Sequence, residues 1–353
     1  MRLSVSSLDL ASALGAASRV TPARPAMMAY SAVQLVAKGE QLTVTGSDGE
    51  LTVSAFATAS VSEAGNSLVQ PRPLVAWLGT LGNETLDIVD DGTGDLVISS
   101  SGGTPYRFRT VATSFPQAPR LSGAPVKVDL GSMSDAIAAV RSAVDRDNRV
   151  VQLVSSSDKL CVNATDTYRL SQAVIPGAGF GEFSGLVPLS LLEQLGNDTE
   201  FVVVDASGRV IELRGPSATY TARLVAKPFP AIESVLANMP GSRVRIPVGP
   251  AKRALGRLRT IIDQEPLRCV LTQSKMTFSV VDSPLGSGSE EIAVEGGSSA
   301  PFEFGVNLEY LDDAFAGRGG DFVSMAYSEP TGALFFIANG VIDVTSVVMP
   351  VRL

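Results

Sequence analysis

The chain has 353 residues, 45% hydrophobic and 18% charged, with a formal net charge of −8. That balance describes a folded protein rather than a disordered one, and no apolar run approaches the roughly 20 residues a membrane-spanning helix needs. Histidine is absent, which removes Ser-His-Asp and Cys-His chemistry, HExxH zinc sites and the commonest general base.

In chain order, the first segment is MRLSVSSLDLASALGAASRV. It faintly resembles a signal peptide, but Asp9 interrupts the would-be apolar core, and Leu10, Leu14 and Ala17 mark one helical face. It reads as a first helix capped by Ser6 or Ser7, in a cytoplasmic protein. Residues 33–48, VQLVAKGEQLTVTGSD, then return at 151–166 as VQLVSSSDKLCVNATD, a constant offset of 118. LGNETLDIVD from Leu81 likewise returns as LGNDTEFVVVD from Leu195. Such a period is one small domain rather than a solenoid repeat. The length holds three, at 1–120, 121–241 and 242–353, with joints in the Pro/Gly-rich stretches RLSGAP and MPGS. Like domains joined head to tail can close into a ring.

Each unit opens with a strand and a helix. The second helix start is predicted at Ser132 or Ser134, with Ile137, Val140 and Val144 as its apolar stripe; the third places Pro250 at the first helical position, with Leu255, Leu258 and Ile262 as the stripe. Alternating strand pairs follow at Gln41–Val44 with Leu51–Ala55, Leu160–Asn163 with Tyr168–Ala173, and Cys269–Leu271 with Thr277–Val281. Second helices are predicted at Pro71–Leu81, Pro188–Leu195 and Asn307–Phe315, and further strands at DLVISS, RVIELRG and ALFFIAN. The fold class is α+β, three repeated domains each with two helices on antiparallel sheet.

Acidity argues at first against a nucleic-acid partner, yet 22 of the 28 cations are arginine, the residue suited to phosphate. They favour the first helix of each unit. On 250–262, Lys252, Arg253, Arg257 and Arg259 project away from the apolar stripe; Arg19 opposes Leu10 and Leu14; Arg141, Arg146 and Arg149 decorate or follow the second-unit helix. A solvated face is the plain reading of any one helix, and the repetition points to a shared basic surface. Ser156–Lys159 fits S-x-x-K but falls in a turn between strands without a K-T-G partner. The acidic run Asp90–Asp95 lacks the spaced ligands of a calcium loop. Both read as hairpin turns. Cys161 and Cys269 read as buried, inert thiols, and no metal, cofactor or catalytic site is expected.

The tail Val347-Val348-Met349-Pro350-Val351-Arg352-Leu353 closely resembles the C-terminus of the bacterial DNA polymerase III β sliding clamp family. Three more stretches match in order: Ala164–Leu170 (ATDTYRL) resembles the family's ATDGHRL, Phe229–Leu236 (FPAIESVL) its FPDYRRVL, and Phe304–Asn307 (FGVN) the opening of the last domain's second helix. The resemblance spans the chain. It implies a homodimeric six-domain ring that encircles double-stranded DNA non-specifically, helices lining the hole, and that tethers the replicative polymerase and the clamp loader through short linear peptides. Arg19, Arg24, Arg141, Arg146, Arg149, Lys252, Arg253 and Arg257 would then face DNA, Arg24 matching a DNA-contacting arginine of the family. The implied peptide pocket takes Thr165, Thr167, Tyr168, Arg169, Leu170, Ala237, Val347, Val348, Met349, Pro350, Val351 and Arg352. The implied ring joint sets Tyr106 and Phe108 on a first-domain edge strand against Ile261 and Ile262 at a third-domain helix end. Thr167 replaces the family's glycine, Tyr168 its histidine and Ala237 a pocket proline. These departures leave open an alternative: a clamp-fold variant, encoded by a mobile element, that tethers a protein other than the replicase.

Overall fold

Alternation of apolar and polar residues decides most of this chain, because about three-quarters of its described regular elements are strands. The structure, a computed structural model, describes the chain apart from residues 26, 91, 101–102, 118–120, 122, 128, 196–198, 206–208 and 317–319 and the side chain of residue 282. The first repeat contains β1 (Arg2–Ser6), α1 (Ser7–Ser18), β2 (Val33–Lys38), β3 (Gln41–Ser47), β4 (Leu51–Glu63), β5 (Gly65–Val69), α2 (Pro71–Leu78), β6 (Thr85–Asp90), β7 (Asp95–Ser100) and β8 (Tyr106–Arg109). The second contains β9 (Val126–Lys127), α3 (Leu130–Val140), β10 (Val150–Ser155), β11 (Lys159–Thr165), β12 (Arg169–Pro176), β13 (Phe183–Pro188), α4 (Leu189–Leu192), β14 (Phe201–Val204), β15 (Val210–Arg214), β16 (Ala218–Arg223) and α5 (Ile232–Ala237). The third contains β17 (Ser242–Pro247), α6 (Val248–Leu258), β18 (Leu267–Leu271), β19 (Lys275–Ser283), β20 (Gly286–Ala293), β21 (Phe302–Val306), α7 (Leu308–Phe315), β22 (Phe322–Tyr327), β23 (Leu334–Ala338) and β24 (Asp343–Val348).

The sequence echo is a structural one: β3 spans 41–47 and β11 spans 159–165, so both ends keep the offset of 118. Helix starts moved more. Ser6 caps α1, its Oγ accepting from the Leu8 N–H at 3.3 Å, while Ser7 is buried and donates to the Gly82 carbonyl. α3 begins at Leu130, so Ser132 and Ser134 lie inside its first turn rather than capping it. Pro250 is the third residue of α6, where the missing N–H still has no intrahelical acceptor to satisfy. α4 is a single turn, shorter than predicted, and α5 was not predicted at all.

Two compact units emerge from the chain's contacts: Met1–Leu130 with Val187–Leu224, and Gly131–Leu186 with Val225–Leu353. The second repeat is therefore divided between them. Residues 120 and 122 of the predicted joint RLSGAP lie outside the described residues. In the first unit a twelve-stranded antiparallel sheet runs β8-β7-β6-β1-β4-β16-β15-β14-β9, with β3, β2 and β5 branching from β4. In the second unit one sheet runs β13-β10-β11-β12-β24-β23-β22-β17 and another β20-β19-β18-β21. Leu10, Leu14, Leu35, Leu42, Leu74 and Leu86 are buried in the first-repeat core, and Phe278, Phe304, Phe315 and Phe336 in the third. Each such side chain contributes about 1.5–3 kcal/mol by leaving water.

The last turn of α1 lies directly on β3 at Gly46, where an added Cβ would stand 2.1 Å from the Ala17 carbonyl oxygen. Gly15, inside α1, has nothing within 4 Å of that position. Gly46→Ala should lower stability by about 2–3 kcal/mol through overpacking. Gly15→Ala should raise it by about 0.5–1 kcal/mol through helix propensity. Urea titrations of the two variants check the opposite signs.

Candidate functional site

Four neighbouring strands carry one file of apolar side chains. Leu170 on β12 is paired with Val347 on β24, Val347 with Phe335 on β23, and Phe335 with Ala326 on β22. Each is at most 5% exposed, and with Ile232 of α5 they form a separate buried cluster flanked by Phe229, Leu236 and Met239. Because side chains alternate along a strand, the next residue points the other way. Val348 is 1% exposed and belongs to the third-repeat core with Leu334, Phe336 and Met325. The structure therefore separates Val348 from the expected pocket residues and keeps Val347 with Leu170.

At the end of this file, the turn from β11 to β12 is stitched by its own polar side chains. Thr165 Oγ1 donates to the Arg169 carbonyl at 2.8 Å and accepts from the Thr167 N–H at 3.1 Å. Asp166 Oδ1 accepts from the N–H groups of Tyr168 (3.1 Å) and Arg169 (2.9 Å). Thr167 has φ +75°, the left-handed region that glycine adopts freely and a β-branched residue rarely. Tyr168, next in the turn, is 64% exposed. Its carbonyl accepts from the Met349 N–H at 3.0 Å, and Val351 N–H donates to the Gly305 carbonyl at 2.9 Å, which lays the tail beside the turn. Met349, Val351 and Arg352 are exposed, Pro350 is partly so, and Ala237 is the exposed last residue of α5.

Arg169 is held on several sides. Its Nε donates to Asp166 Oδ2 at 2.9 Å, its Nη1 to Asp313 Oδ2 at 2.5 Å, and the guanidinium lies 4.3 Å above the Tyr310 ring. Tyr310 and Asp313 sit at i, i+3 on α7 and so share a helix face. Sequence reasoning missed both, and no local signal relates Asp313 to Arg169, 144 residues away.

The cations divide into groups. α6 buries Ala251, Ala254, Leu255 and Leu258 and exposes Lys252, Arg253 and Arg257, so its basic face is present as expected. Arg257, however, makes a two-point contact with Glu290 of β20, both at 2.6 Å, which holds the Glu290 carboxyl below its usual range. α1 and α3 carry no cation along their length. Arg19 is the C-cap of α1, and Arg141 begins the 3-10 turn after α3. There the positive charge complements the carbonyl end of the helix dipole. Arg24, Arg146 and Arg149 are exposed in the segments that follow, and Arg149 has φ +46°.

Two sheet ends carry the residues expected at a joint. β8 ends the twelve-stranded sheet; Tyr106 is 53% exposed, and Tyr106 and Phe108 pack against Trp77 of α2, tilted and edge-on, with ring centroids 5.0 and 5.5 Å away. β20 ends the four-stranded sheet. Ile261 and Ile262 are partly buried against the third-repeat core, and Ile261 lies over Gly288 of β20, where an added Cβ would come within 2.8 Å of its Cδ1.

The remaining motifs stay local. Ser156 Oγ donates to Asp158 Oδ1 at 2.6 Å within the β10–β11 turn. Asp90 Oδ1 accepts from the Gly92 N–H at 2.8 Å between β6 and β7, and Asp91 lies outside the described residues. Cys269 is buried and Cys161 half-buried, and burial pushes both thiols upward, away from the reactive thiolate. No helix of the described residues is long and apolar enough to cross a membrane.

Comparison with known proteins agrees along the chain. Residues 1–118 match the family described as DNA polymerase III beta subunit, N-terminal domain. The beta sliding clamp of Synechocystis sp. is 26% identical, with all of both chains covered. The fold matches the crystal structure of the DNA polymerase III subunit beta from Pseudomonas aeruginosa at a TM-score of 0.91 and 21% identity, covering all of both chains. It also matches that organism's sliding clamp bound to griselimycin, at 0.88 and 22%, again over all of both chains. The N-terminal third thus matches that family, a relative aligns from end to end at 26% identity, and the fold throughout is that of the solved sliding clamps.

Proposed function

We propose that this protein is a non-enzymatic DNA sliding clamp: two copies, each of three domains at 1–120, 121–241 and 242–353, close head to tail around duplex DNA and tether polymerase and clamp loader through a peptide pocket. The observation that carries the reading is the order of the strands. β4 of the first repeat pairs antiparallel with β16, which leads the series β16-β15-β14-β9 of the second. β12 of the second repeat pairs antiparallel with β24, which leads the series β24-β23-β22-β17 of the third. By the same rule β20 of the third repeat should pair with β8, which leads β8-β7-β6-β1 of a first repeat, and within one chain both strands end their sheets. A second copy supplies the missing neighbour at each end. Charge adds little to the pairing, since Arg109 of β8 is held by Asp95, and Glu290 and Glu291 of β20 are held by Arg257 and Lys275.

In such a ring the exposed cations of α6 and of the segments after α1 and α3 would meet phosphates without reading sequence. An acidic exterior would leave the hole as the favourable place for DNA. The file from Leu170 to Ala326 offers an apolar floor, and Tyr168, Met349 and Val351 an exposed rim, which suits a short peptide with aliphatic or aromatic anchors.

Three outcomes are expected. Once loaded, the protein should remain on nicked circular DNA and be lost when the circle is linearised; equal retention on both forms would refute encirclement. Met349→Ala should weaken a labelled partner peptide about five- to tenfold in fluorescence anisotropy, without changing the melting temperature appreciably, because the residue lies on the rim. The double variant Ile261→Asp, Ile262→Asp should sediment as a monomer in analytical ultracentrifugation. Its emission should change as well, since the single tryptophan, Trp77, is stacked on the joint strand β8.

A further inference from the structure

The two strand-to-strand joints inside the chain carry a register that extends to the open ends β8 and β20. Gly46 of β3, Ala164 of β11 and Val280 of β19 are equivalent positions. The first two keep the offset of 118, and the turns that open the second and third hairpins, Ser156 N–H to the Lys159 carbonyl and Thr272 N–H to the Lys275 carbonyl, stand 116 residues apart, as do Ala164 and Val280. Across their hairpins these residues pair with Val53, Ser171 and Gly288. At the joints, Val53 stands opposite Tyr220 and Ser171 opposite Ser346. Tyr220 lies in ATYTARLVA and β8 in TPYRFRTVA, 114 residues earlier. The same turn follows each, Lys227 N–H to the Val225 carbonyl and Thr113 N–H to the Val111 carbonyl. Tyr106 is thus the counterpart of Tyr220, and its place is opposite Gly288.

Side-chain direction agrees with this register. Tyr106 pairs with the buried Ile98 and Gly288 with the buried Val280, so both lie on the core face of their sheets. The Phe56 N–H donates to the Ser217 carbonyl, which makes Val53–Tyr220 a non-hydrogen-bonded pair, the kind whose side chains approach most closely. Gly288 is inside a strand and has no positive φ to require glycine. Such a residue weakens a strand and marks a place where something else comes close. On its own copy that space is reached by the tip of Ile261, whose Cδ1 would stand 2.8 Å from an added Cβ. Tyr106 is left 53% exposed. An aromatic ring laid across a glycine of the neighbouring strand fills such a gap.

We infer that Gly288 is a specificity-determining residue of the joint between copies. It lies directly opposite Tyr106 of a second copy and, with Ile261, forms the socket for that ring, so that β20 accepts β8 of this chain in one register. This rests on the ring reading above and adds to it the register and the residue that selects it. A strand whose ring falls one residue out of step would present it to the other face of the sheet and leave the socket empty.

The test combines sedimentation with disulfide trapping on the full-length protein. Gly288→Leu should weaken the dimer at least tenfold in analytical ultracentrifugation while keeping the wild-type circular dichroism, because the end of the Ile261 side chain can move aside within one copy. Adding Tyr106→Ala to Gly288→Leu should recover at least fivefold of that loss, since the new side chain then occupies the space of the missing ring. Under mild oxidation Arg107→Cys with Ser287→Cys, one step along both strands, should link two copies on a non-reducing gel, whereas Arg107→Cys with Ser289→Cys should not. A dimer as tight in Gly288→Leu as in wild type overturns the inference, as does linkage through position 289 rather than 287. Should Gly288→Leu fail to fold, the trapping result decides. A wild-type protein that sediments as a monomer at every concentration refutes instead the ring reading.

Discussion

A strand at the end of a sheet presents a row of N–H and C=O groups that must find partners or stay hydrated. The organisation of this chain follows from how those rows are met. Three sheet ends receive a single bridge from a nearby segment: β5 from Thr110, β17 from Glu295 and β21 from Val351. β4 and β12 are met differently, by whole strands of the following repeat. Among the described residues, β8 and β20 have neither kind of cover, and the same holds for the sheet ends β9 and β13. β8 also exposes the aromatic Tyr106, a combination that favours association. Its neighbours Arg107 and Arg109 add charge to the strand, a common guard against indiscriminate pairing.

The proposed pocket would be a consequence of the same edge pairing. Leu170 and Val347 come from different repeats and become neighbours only because β24 adds to β12. Phe335 and Ala326 then extend the file through ordinary antiparallel register. Shifting that register by one residue would turn Val348 towards the Leu170 cluster and Val347 into the third-repeat core. The site thus depends on backbone pairing more than on any single side chain. Tyr168 and Met349, by contrast, are exposed and free to differ between relatives without disturbing the sheet.

Much of the fold was legible because strand alternation is a local property. The hairpins β3–β4 and β11–β12 were readable from short alternating runs, the third predicted pair fell on β18–β19, the counterpart of β2–β3, and the offset of 118 survived in both ends of β3 and β11. Helix ends were less legible. Serine caps are common, but Ser132 and Ser134 fall inside α3, and the single turns of α4 and α5 are too short to show a period. The basic face of α6 was readable from spacing, whereas α1 and α3 place their arginines after the helix, where projection along the helix does not apply. The tie from Arg169 to Asp313 was not readable, since nothing local relates residues 144 apart. Nor does repetition reveal the two compact units, because strands shared between repeats divide the second repeat between them.

The ion pairs also bear on how an acidic protein could hold DNA. Arg257 is engaged by Glu290, Arg259 by Glu309 and Asp312, Arg268 by Glu303 and Arg245 by Glu295. An arginine beside a carboxylate contributes little net field beyond a Debye length, roughly 8–10 Å in physiological salt. The attraction towards phosphate would therefore come from fewer cations than the sequence count suggests, such as the exposed Lys252 and Arg253. For a protein that grips DNA by affinity this would be a weakness. For a closed ring it is favourable, because enclosure prevents escape while each added phosphate contact steepens the barrier to movement along the duplex. Weak, non-specific attraction combined with sheet-to-sheet closure allows retention and sliding together, and neither requires the chain to be basic overall.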